Sequence, residues 1–200
     1  MEQPPAPQNS QGFRLAVLVE GAIGLVAVGL AELFGISLRD QFGFSKAALV
    51  DGLVAGVAAT VPMLAMYWWL TVSTWPPLVE LRETVVRMVR ELFPNARLPE
   101  LATIAILAGV GEELLFRGVV QTGIAQLTSP AIGLAAGSLV FGALHAVSRL
   151  YFILATLIGL YLGWLLLQFG DLTVPIVAHM LYDFVALAYL TRTFQDELPL

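Results

Sequence analysis

The chain has 200 residues and a formal net charge of −5, and 58% of its residues are hydrophobic while only 12% are charged. Soluble domains carry about 25% charged residues, so this composition indicates an integral membrane protein and argues against a soluble domain. The small number of Lys and Arg residues indicates no nucleic-acid partner. The absence of cysteine excludes disulfides, thiolate zinc sites and a cysteine nucleophile.

A polar, proline-rich stretch opens the chain: MEQPPAPQNSQG. It lacks the basic segment of a signal peptide, so we expect a disordered tail over 1–12, followed by a retained first helix. Six apolar segments follow, each long enough to cross a hydrocarbon core of about 30 Å. They are Phe13–Ser37, Ala47–Trp75, Leu98–Gln126, Pro130–Val147, Leu150–Phe169 and Thr173–Leu190. The predicted fold is all-α, a polytopic transmembrane helix bundle of about six spans with a short tail over 193–200.

The stretch between the second and third segments, PPLVELRETVVRMVREL, mixes apolar and charged residues with helical spacing. Its apolar positions are Leu78, Leu81, Val85, Val89 and Leu92. Two prolines suit the start of a helix, and Pro94 suits its end. The pattern predicts an amphipathic helix lying in the membrane interface, and the alternative is an ordinary solvated linker helix. With the first two spans, this helix forms an N-terminal part over 13–97.

The distribution of basic residues predicts how the bundle is oriented. With six spans, seven arginines fall on one side of the membrane: Arg14, Arg82, Arg87, Arg90, Arg97, Arg149 and Arg192. Only Arg39 and Lys46 fall on the other side. Since cytoplasmic loops carry the excess of Lys and Arg, we expect both termini in the cytoplasm and the protein in the cell membrane.

The third segment contains two carboxylates and a guanidinium within GEELLFRG. Each charge at the bilayer centre costs about 2.5–3.5 kcal/mol on insertion scales, so these charges need partners or a function. Glu113 and Arg117 are four residues apart on one helix face, which predicts an ion pair. Glu112 points about 100° away and has no such partner in its own helix. The alternative is a purely structural role, in which the salt bridge stabilises the helix and the other carboxylate reaches a water-filled cleft.

The two histidines of the chain both lie in apolar segments. His179 and Asp183 are four residues apart, as are Phe141 and His145. Intramembrane ionisable groups normally face the bundle interior, so we expect these side chains and Glu112 to meet in one polar site. A carboxylate and an imidazole around one water supply the general base and the oxyanion stabilisation that hydrolysis needs. Two histidines and a glutamate also make a plausible zinc site with an open position.

Three motifs, each on its own predicted span, follow one another: Glu112-Glu113-Leu-Leu-Phe-Arg117, Phe141-Gly-Ala-Leu-His145 and His179-Met-Leu-Tyr-Asp183. In this order they resemble the EExxxR, FxxxH and HxxxN or HxxxD motifs of the CAAX prenyl protease and bacteriocin-processing (CPBP) family. These intramembrane endopeptidases are also called lysostaphin resistance protein A-like or Abi proteins. The resemblance covers about half the chain, Leu98–Leu190. It implies a catalytic core of four spans over 98–192.

The resemblance also implies roles for individual residues. Glu112 would activate water together with His145, and His179 and Asp183 would stabilise the oxyanion. The supporting residues would be Glu113, Arg117 and Phe141. Asp183 stands where several members of the family have Asn. It is therefore either protonated, or orients His179 as carboxylates often orient imidazoles, or helps to bind a metal.

The family was first described as metalloproteases, and a metal-free mechanism that depends on glutamate is the alternative. We expect no cofactor, and zinc, if it binds, would be held by Glu112, His145 and His179. The expected partners are the lipid bilayer and a membrane protein or peptide substrate, which includes a prenylated CAAX protein if the organism makes one. The rival hypothesis is a membrane immunity or scaffold protein without protease activity, which uses the same polar core structurally.

Overall fold

The computed structural model describes residues 9–94 and 96–193, and these ranges contain helices and turns but no strand. The helices are α1 (Asn9–Phe34), α2 (Lys46–Val72), α3 (Pro76–Leu92), α4 (Leu98–Glu113), α5 (Thr122–Leu127), α6 (Pro130–Leu144), α7 (Arg149–Phe169) and α8 (Thr173–Thr193). A π-helical segment, Leu114–Gln121, joins α4 to α5. The predicted all-α fold is confirmed. Of the predicted tails, 1–8 and 194–200 lie outside the described residues, and 9–12 begin α1.

Four helices, α1, α2, α7 and α8, are long and apolar enough to cross a membrane. This confirms an integral membrane helix bundle. The run from α4 through the π-helical segment to α5 is also continuous, whereas α6 has 15 residues. At 1.5 Å per residue, α6 extends only about 22 Å, which is less than the thickness of the hydrocarbon core. The count of six spans therefore stays a prediction.

The end of α6 differs from the predicted segment and places a histidine at a turn. The helix stops at Leu144 instead of Val147. His145 leaves helical geometry with φ −97° and ψ 6°, and the Val147 amide donates to the His145 carbonyl over 2.8 Å. Ser148 then begins α7, since its hydroxyl accepts from the Tyr151 amide. His145 is therefore held in a tight turn between two helices and not in the middle of a span.

Two glycines allow α4 to pack closely between α8 and α1. A Cβ atom at Gly109 would lie 2.9 Å from the backbone nitrogen of Met180 on α8. A Cβ atom at Gly111 would lie 2.9 Å from the carbonyl oxygen of Glu20 on α1. Because real Cβ atoms need more room, only glycine permits these two approaches. They bring both neighbouring helices against the end of α4 that carries Glu112.

The predicted amphipathic helix is α3, and it begins at the two prolines as expected. It buries Leu78, Leu81, Val86 and Val89, and its charged residues lie largely on the other side. The Arg82 guanidinium donates to the carbonyls of Thr71 and Ser73, where α2 ends. This contact attaches α3 to the end of α2, so α3 lies across one end of the bundle.

Candidate active site

A buried ion pair stands at the centre of the bundle. The Arg117 Nη1 donates to Glu113 Oε1 over 2.8 Å, with the two side chains 1% and 0% exposed. The predicted pair between these residues is confirmed. Arg117 Nη2 also donates to the Gly159 carbonyl on α7 over 3.1 Å. Burying an ion pair is tolerated only where further hydrogen bonds satisfy it, and this second contact supplies one.

The segment after Glu113 is π-helical, which the sequence pattern did not indicate. Its wider turns leave backbone carbonyls that side chains satisfy. Thr122 Oγ1 donates to the Arg117 carbonyl over 2.9 Å, and Gln41 Nε2 donates to the Gly118 carbonyl over 3.0 Å. Single π-helical turns occur frequently at functional sites, and here the turn carries Arg117 into the bundle interior.

Glu113 has a second partner, which spacing within one helix did not reveal. Its Oε1 lies 2.8 Å from Nδ1 of His179 on α8. Since a carboxylate only accepts, this contact assigns a proton to Nδ1 and turns Nε2 of the same ring towards the other side. That Nε2 lies 3.5 Å from Asp183 Oδ2 and 3.9 Å from Glu112 Oε2. Glu113 thus connects the ion pair of α4 to the histidine of α8.

His145 is oriented by the backbone and by an aromatic ring. Its Nδ1 lies 2.8 Å from the Phe141 carbonyl, which can only accept, so Nδ1 carries the proton. The imidazole stacks on the Phe141 ring with centroids 4.3 Å apart. The same Phe141 ring also contacts a cation, because the Arg117 guanidinium carbon lies 4.6 Å from its centre. Phe141 therefore packs against both a site imidazole and the buried arginine.

Glu112 lies between the two imidazoles. It is 7% exposed, and its Oε2 lies 3.6 Å from His145 Nε2. This oxygen accepts no hydrogen bond from the part of the chain that the structure describes. The structure therefore brings together Glu112, His145, His179 and Asp183, the four residues predicted as catalytic. They come from two helices and one turn, and only the contact between His179 and Asp183 joins residues that are close in sequence.

The four side chains open into a cavity of about 490 Å³. Apolar side chains from α1, α3, α7 and α8 form most of its wall. Five further polar side chains line it that the sequence analysis did not single out: Glu20, Tyr67, Thr71, Tyr151 and Tyr182. Glu20 had a usable signal, because it is a charged residue inside the first apolar segment. The tyrosines and the threonine had none, since both residue types are common in membrane helices.

The predicted zinc ligands can be tested against this geometry. Zinc ligands bond at about 2.0–2.2 Å in a tetrahedral arrangement, which needs three side chains converging on one point. Within the described ranges, no group of three or more His, Asp or Glu side chains is arranged to hold a metal ion. Glu112, His145 and His179 as placed do not fit a zinc site. The mechanism below therefore uses the groups of this chain alone.

A comparison with known proteins classifies the part of the chain that carries the motifs. A model of the family described as "Type II CAAX prenyl endopeptidase Rce1-like" matches residues 94–185, a range that contains all three motifs. Residues 94–185 are thus similar to this family. The resemblance predicted from the motifs is thereby confirmed.

The relative found by sequence comparison is described as uncharacterized and matches about half of this chain. "Uncharacterized protein YpbD" of Bacillus subtilis (strain 168) is 37% identical over 99 residues, which are 48% of this chain and 48% of that protein. The chain thus spans about half the length of this curated relative. No solved structure matches the chain. The Rce1-like segment excludes α1, α2 and α3, although α1 and α3 both line the cavity.

Proposed function

We propose that this protein is an intramembrane endopeptidase that hydrolyses a peptide bond of a membrane-associated protein or peptide. The observation that carries the proposal is the environment of Glu112. One oxygen of this buried carboxylate faces two imidazole nitrogens and has no hydrogen-bond donor among the described residues. A buried acceptor without a donor costs about 1–3 kcal/mol, so such a group calls for a ligand or a function. The Rce1-like family of residues 94–185 supplies the matching chemistry.

In the first step, Glu112 and His145 bind and activate the water. The His145 proton is on Nδ1, so its Nε2 is an acceptor that faces the acceptor Oε2 of Glu112 at 3.6 Å. Two acceptors cannot form a hydrogen bond with each other, but a water beside them in the cavity can donate to both. Glu112 takes a proton as the water attacks the carbonyl carbon. It then returns that proton to the leaving amine.

In the same step, His179 stabilises the oxyanion of the tetrahedral intermediate. Glu113 accepts from Nδ1 of this ring, so Nε2 faces the cavity, and it donates to the oxyanion when His179 carries a second proton as an imidazolium. Asp183 lies 3.5 Å from that nitrogen, which supports the reading in which Asp183 orients His179 and carries the compensating charge. The geometry does not support Asp183 as a metal ligand. Glu113, Arg117 and Phe141 hold the two imidazoles in position.

The substrate reaches the site from the end of the bundle where α3 lies. A Cβ atom at Gly12 would overlap the carbonyl oxygen of Leu92, so the start of α1 touches the end of α3. Three exposed tryptophans, Trp68, Trp69 and Trp75, surround the junction of α2 and α3. Because tryptophan favours the membrane–water interface, this end suits the cytoplasmic interface of the cell membrane. We propose that a membrane-associated chain enters the cavity there.

The scaffold hypothesis accounts for one part of the site only. A structural core would need the network of Glu113, Arg117 and His179, in which Glu113 Oε1 has two partners although its Oε2 has none in the described ranges. It would not need Glu112, whose buried oxygen without a donor lowers stability. The protease hypothesis accounts for both parts.

The proposal is tested by peptide cleavage with purified protein in detergent. Wild type, Glu112→Gln and His145→Ala are compared on a library of apolar peptides, each with and without a chelator. Removing a general base lowers rates by about 10²–10⁴-fold, so Glu112→Gln should lose nearly all cleavage. Cleavage that survives Glu112→Gln would contradict the role of Glu112 as general base. A folded wild type that cleaves nothing while Glu112→Gln still complements a deletion strain would favour the scaffold. Loss of wild-type activity with chelator would point to a metal.

A further inference from the structure

The cavity is acidic beyond what the reaction uses. Three carboxylates line it, from Glu20, Glu112 and Asp183, against a single guanidinium, that of Arg82. The Arg82 guanidinium is directed at the carbonyls of Thr71 and Ser73 and not at a carboxylate. Like charges in a cleft with low-dielectric walls repel one another and attract a cation. His179 adds a second positive charge when it is protonated, so at least one of the three carboxylates in the described lining has no counter-charge.

Glu20 is the carboxylate that the mechanism does not use. It lies on α1, outside the Rce1-like segment, and the close approach of α1 to Gly111 places it beside the motif helix. Its Oε2 is buried and has no donor in the described ranges. Glu20 interacts electrostatically with Glu112, Asp183 and His179. It thus belongs to the same cavity as the catalytic groups and has an oxygen available for a ligand.

The cavity that Glu20 lines has a largely apolar wall. This wall includes Leu15 and Val19 of α1 and Leu81, Val85 and Met88 of α3. A basic side chain matches such a surface, because its aliphatic stem packs on apolar groups while its charged end meets a carboxylate. Glu112, 7% exposed and also without a donor, faces the same cavity and marks where the scissile bond lies.

We propose that Glu20 is a specificity-determining residue that binds a basic side chain of the substrate near the scissile bond. The inference rests on the proposed function, since it names the substrate class of the same site. It assigns to α1 a role in substrate selection, whereas the motifs of α4, α6 and α8 perform the hydrolysis. The preferred substrate is an apolar, membrane-associated segment with Lys or Arg close to the cleaved bond.

The test uses pairs of fluorogenic apolar peptides that differ only by Lys or norleucine, with this position scanned around the cleaved bond. A charge-assisted hydrogen bond in a dry site should favour Lys by about tenfold in kcat/KM at one position. Glu20→Gln should bring this ratio to about one. Glu32→Gln, a change of an exposed carboxylate on the same helix, should keep it. Glu20→Asp should retain most of the preference.

The inference is overturned if wild type shows no preference at any scanned position, if Glu20→Gln keeps the preference, or if Glu20→Gln cleaves neither peptide while remaining folded. A binding measurement separates this failure from failure of the proposed function. Fluorescence anisotropy gives the Kd of the same peptides for Glu112→Gln, with and without Glu20→Gln. Suppose that wild type cleaves nothing, but Glu112→Gln binds the Lys peptide more tightly than the norleucine peptide and Glu20→Gln removes this difference. The protease proposal then fails, and the binding of a basic side chain by Glu20 stands. Equal affinities for both peptides overturn the role of Glu20.

Discussion

Two adjacent carboxylates in one helix have opposite environments. Glu113 is fully buried and its Oε1 is shared by Arg117 and His179, whereas Glu112 Oε2 faces the cavity without a donor among the described groups. A helix turns about 100° per residue, so neighbouring side chains cannot face the same partners. The first carboxylate is therefore available for chemistry, and the second holds the site together.

At this scale, we predict opposite effects of the same substitution at the two positions. Glu113→Gln leaves the Arg117 charge buried without its counter-ion and should destabilise the protein by about 3–5 kcal/mol. Glu112→Gln removes a carboxylate that no described donor satisfies, so the melting temperature should stay the same or rise. Thermal unfolding of both variants in the same detergent checks this. Similar losses of stability at both positions would contradict the division of roles.

At the scale of elements, the site depends on how closely α4 approaches its neighbours. Gly109 lets the backbone of α4 lie against Met180 on α8, one turn from the contact between Glu113 and His179. The turn that ends α6 at Leu144 then brings His145 to the other side of Glu112. Helix packing, and not the motifs alone, sets the separations between the catalytic groups.

We therefore predict that Gly109→Ala inactivates the protein although it adds only a methyl group. The new Cβ atom would meet backbone atoms of Met180 at 2.9–3.0 Å, so α4 and α8 must separate. Overpacking of this kind costs about 1–3 kcal/mol, and the displaced Glu113 should no longer orient His179. Peptide cleavage should fall by at least about tenfold, and the melting temperature should drop. Gly29→Ala is the control, because open space surrounds Gly29; normal activity in both variants would show that the contact is unimportant.

At the scale of the whole molecule, contacts show which loops share an end of the bundle. At one end, the Gly43 amide donates to Asp171 Oδ2, and the Leu172 amide donates to the Gln41 carbonyl. The loop after α1 and the turn after α7 thus lie on the same side. At the other end, the start of α1 touches the end of α3. The number of crossings and the cytoplasmic location of both termini stay predictions from apolar length and from the Lys and Arg bias.

The absence of cysteine makes the predicted orientation directly testable. Single cysteines replace exposed residues in the regions that face opposite sides: Gln11, Asp40, Val147 and Gln168. A membrane-impermeant maleimide should label Asp40→Cys and Gln168→Cys in intact cells. Gln11→Cys and Val147→Cys should react only after lysis, because the Lys and Arg bias places them in the cytoplasm. Labelling of Val147→Cys in intact cells would mean that the short α6 does not cross the membrane.

The sequence alone determined the class of the protein, the positions of most helices and the three motifs. Apolar length and composition are local properties, so the membrane bundle, the start of α3 at its prolines and the ion pair between Glu113 and Arg117 could be predicted from nearby residues. The resemblance that rested on the three motifs agrees with the family whose model matches residues 94–185.

Only the tertiary structure decided which groups share a site and which partners each group has there. The contact of Glu113 with His179 joins residues 66 positions apart, and Glu20 reaches the cavity through a helix crossing at Gly111. The π-helical segment and the early end of α6 likewise depend on neighbouring helices and turns. Sequence periodicity reports which face of one helix is apolar, but not which other helix that face meets. The distances of 3.6 and 3.9 Å around Glu112 are consequences of packing between helices.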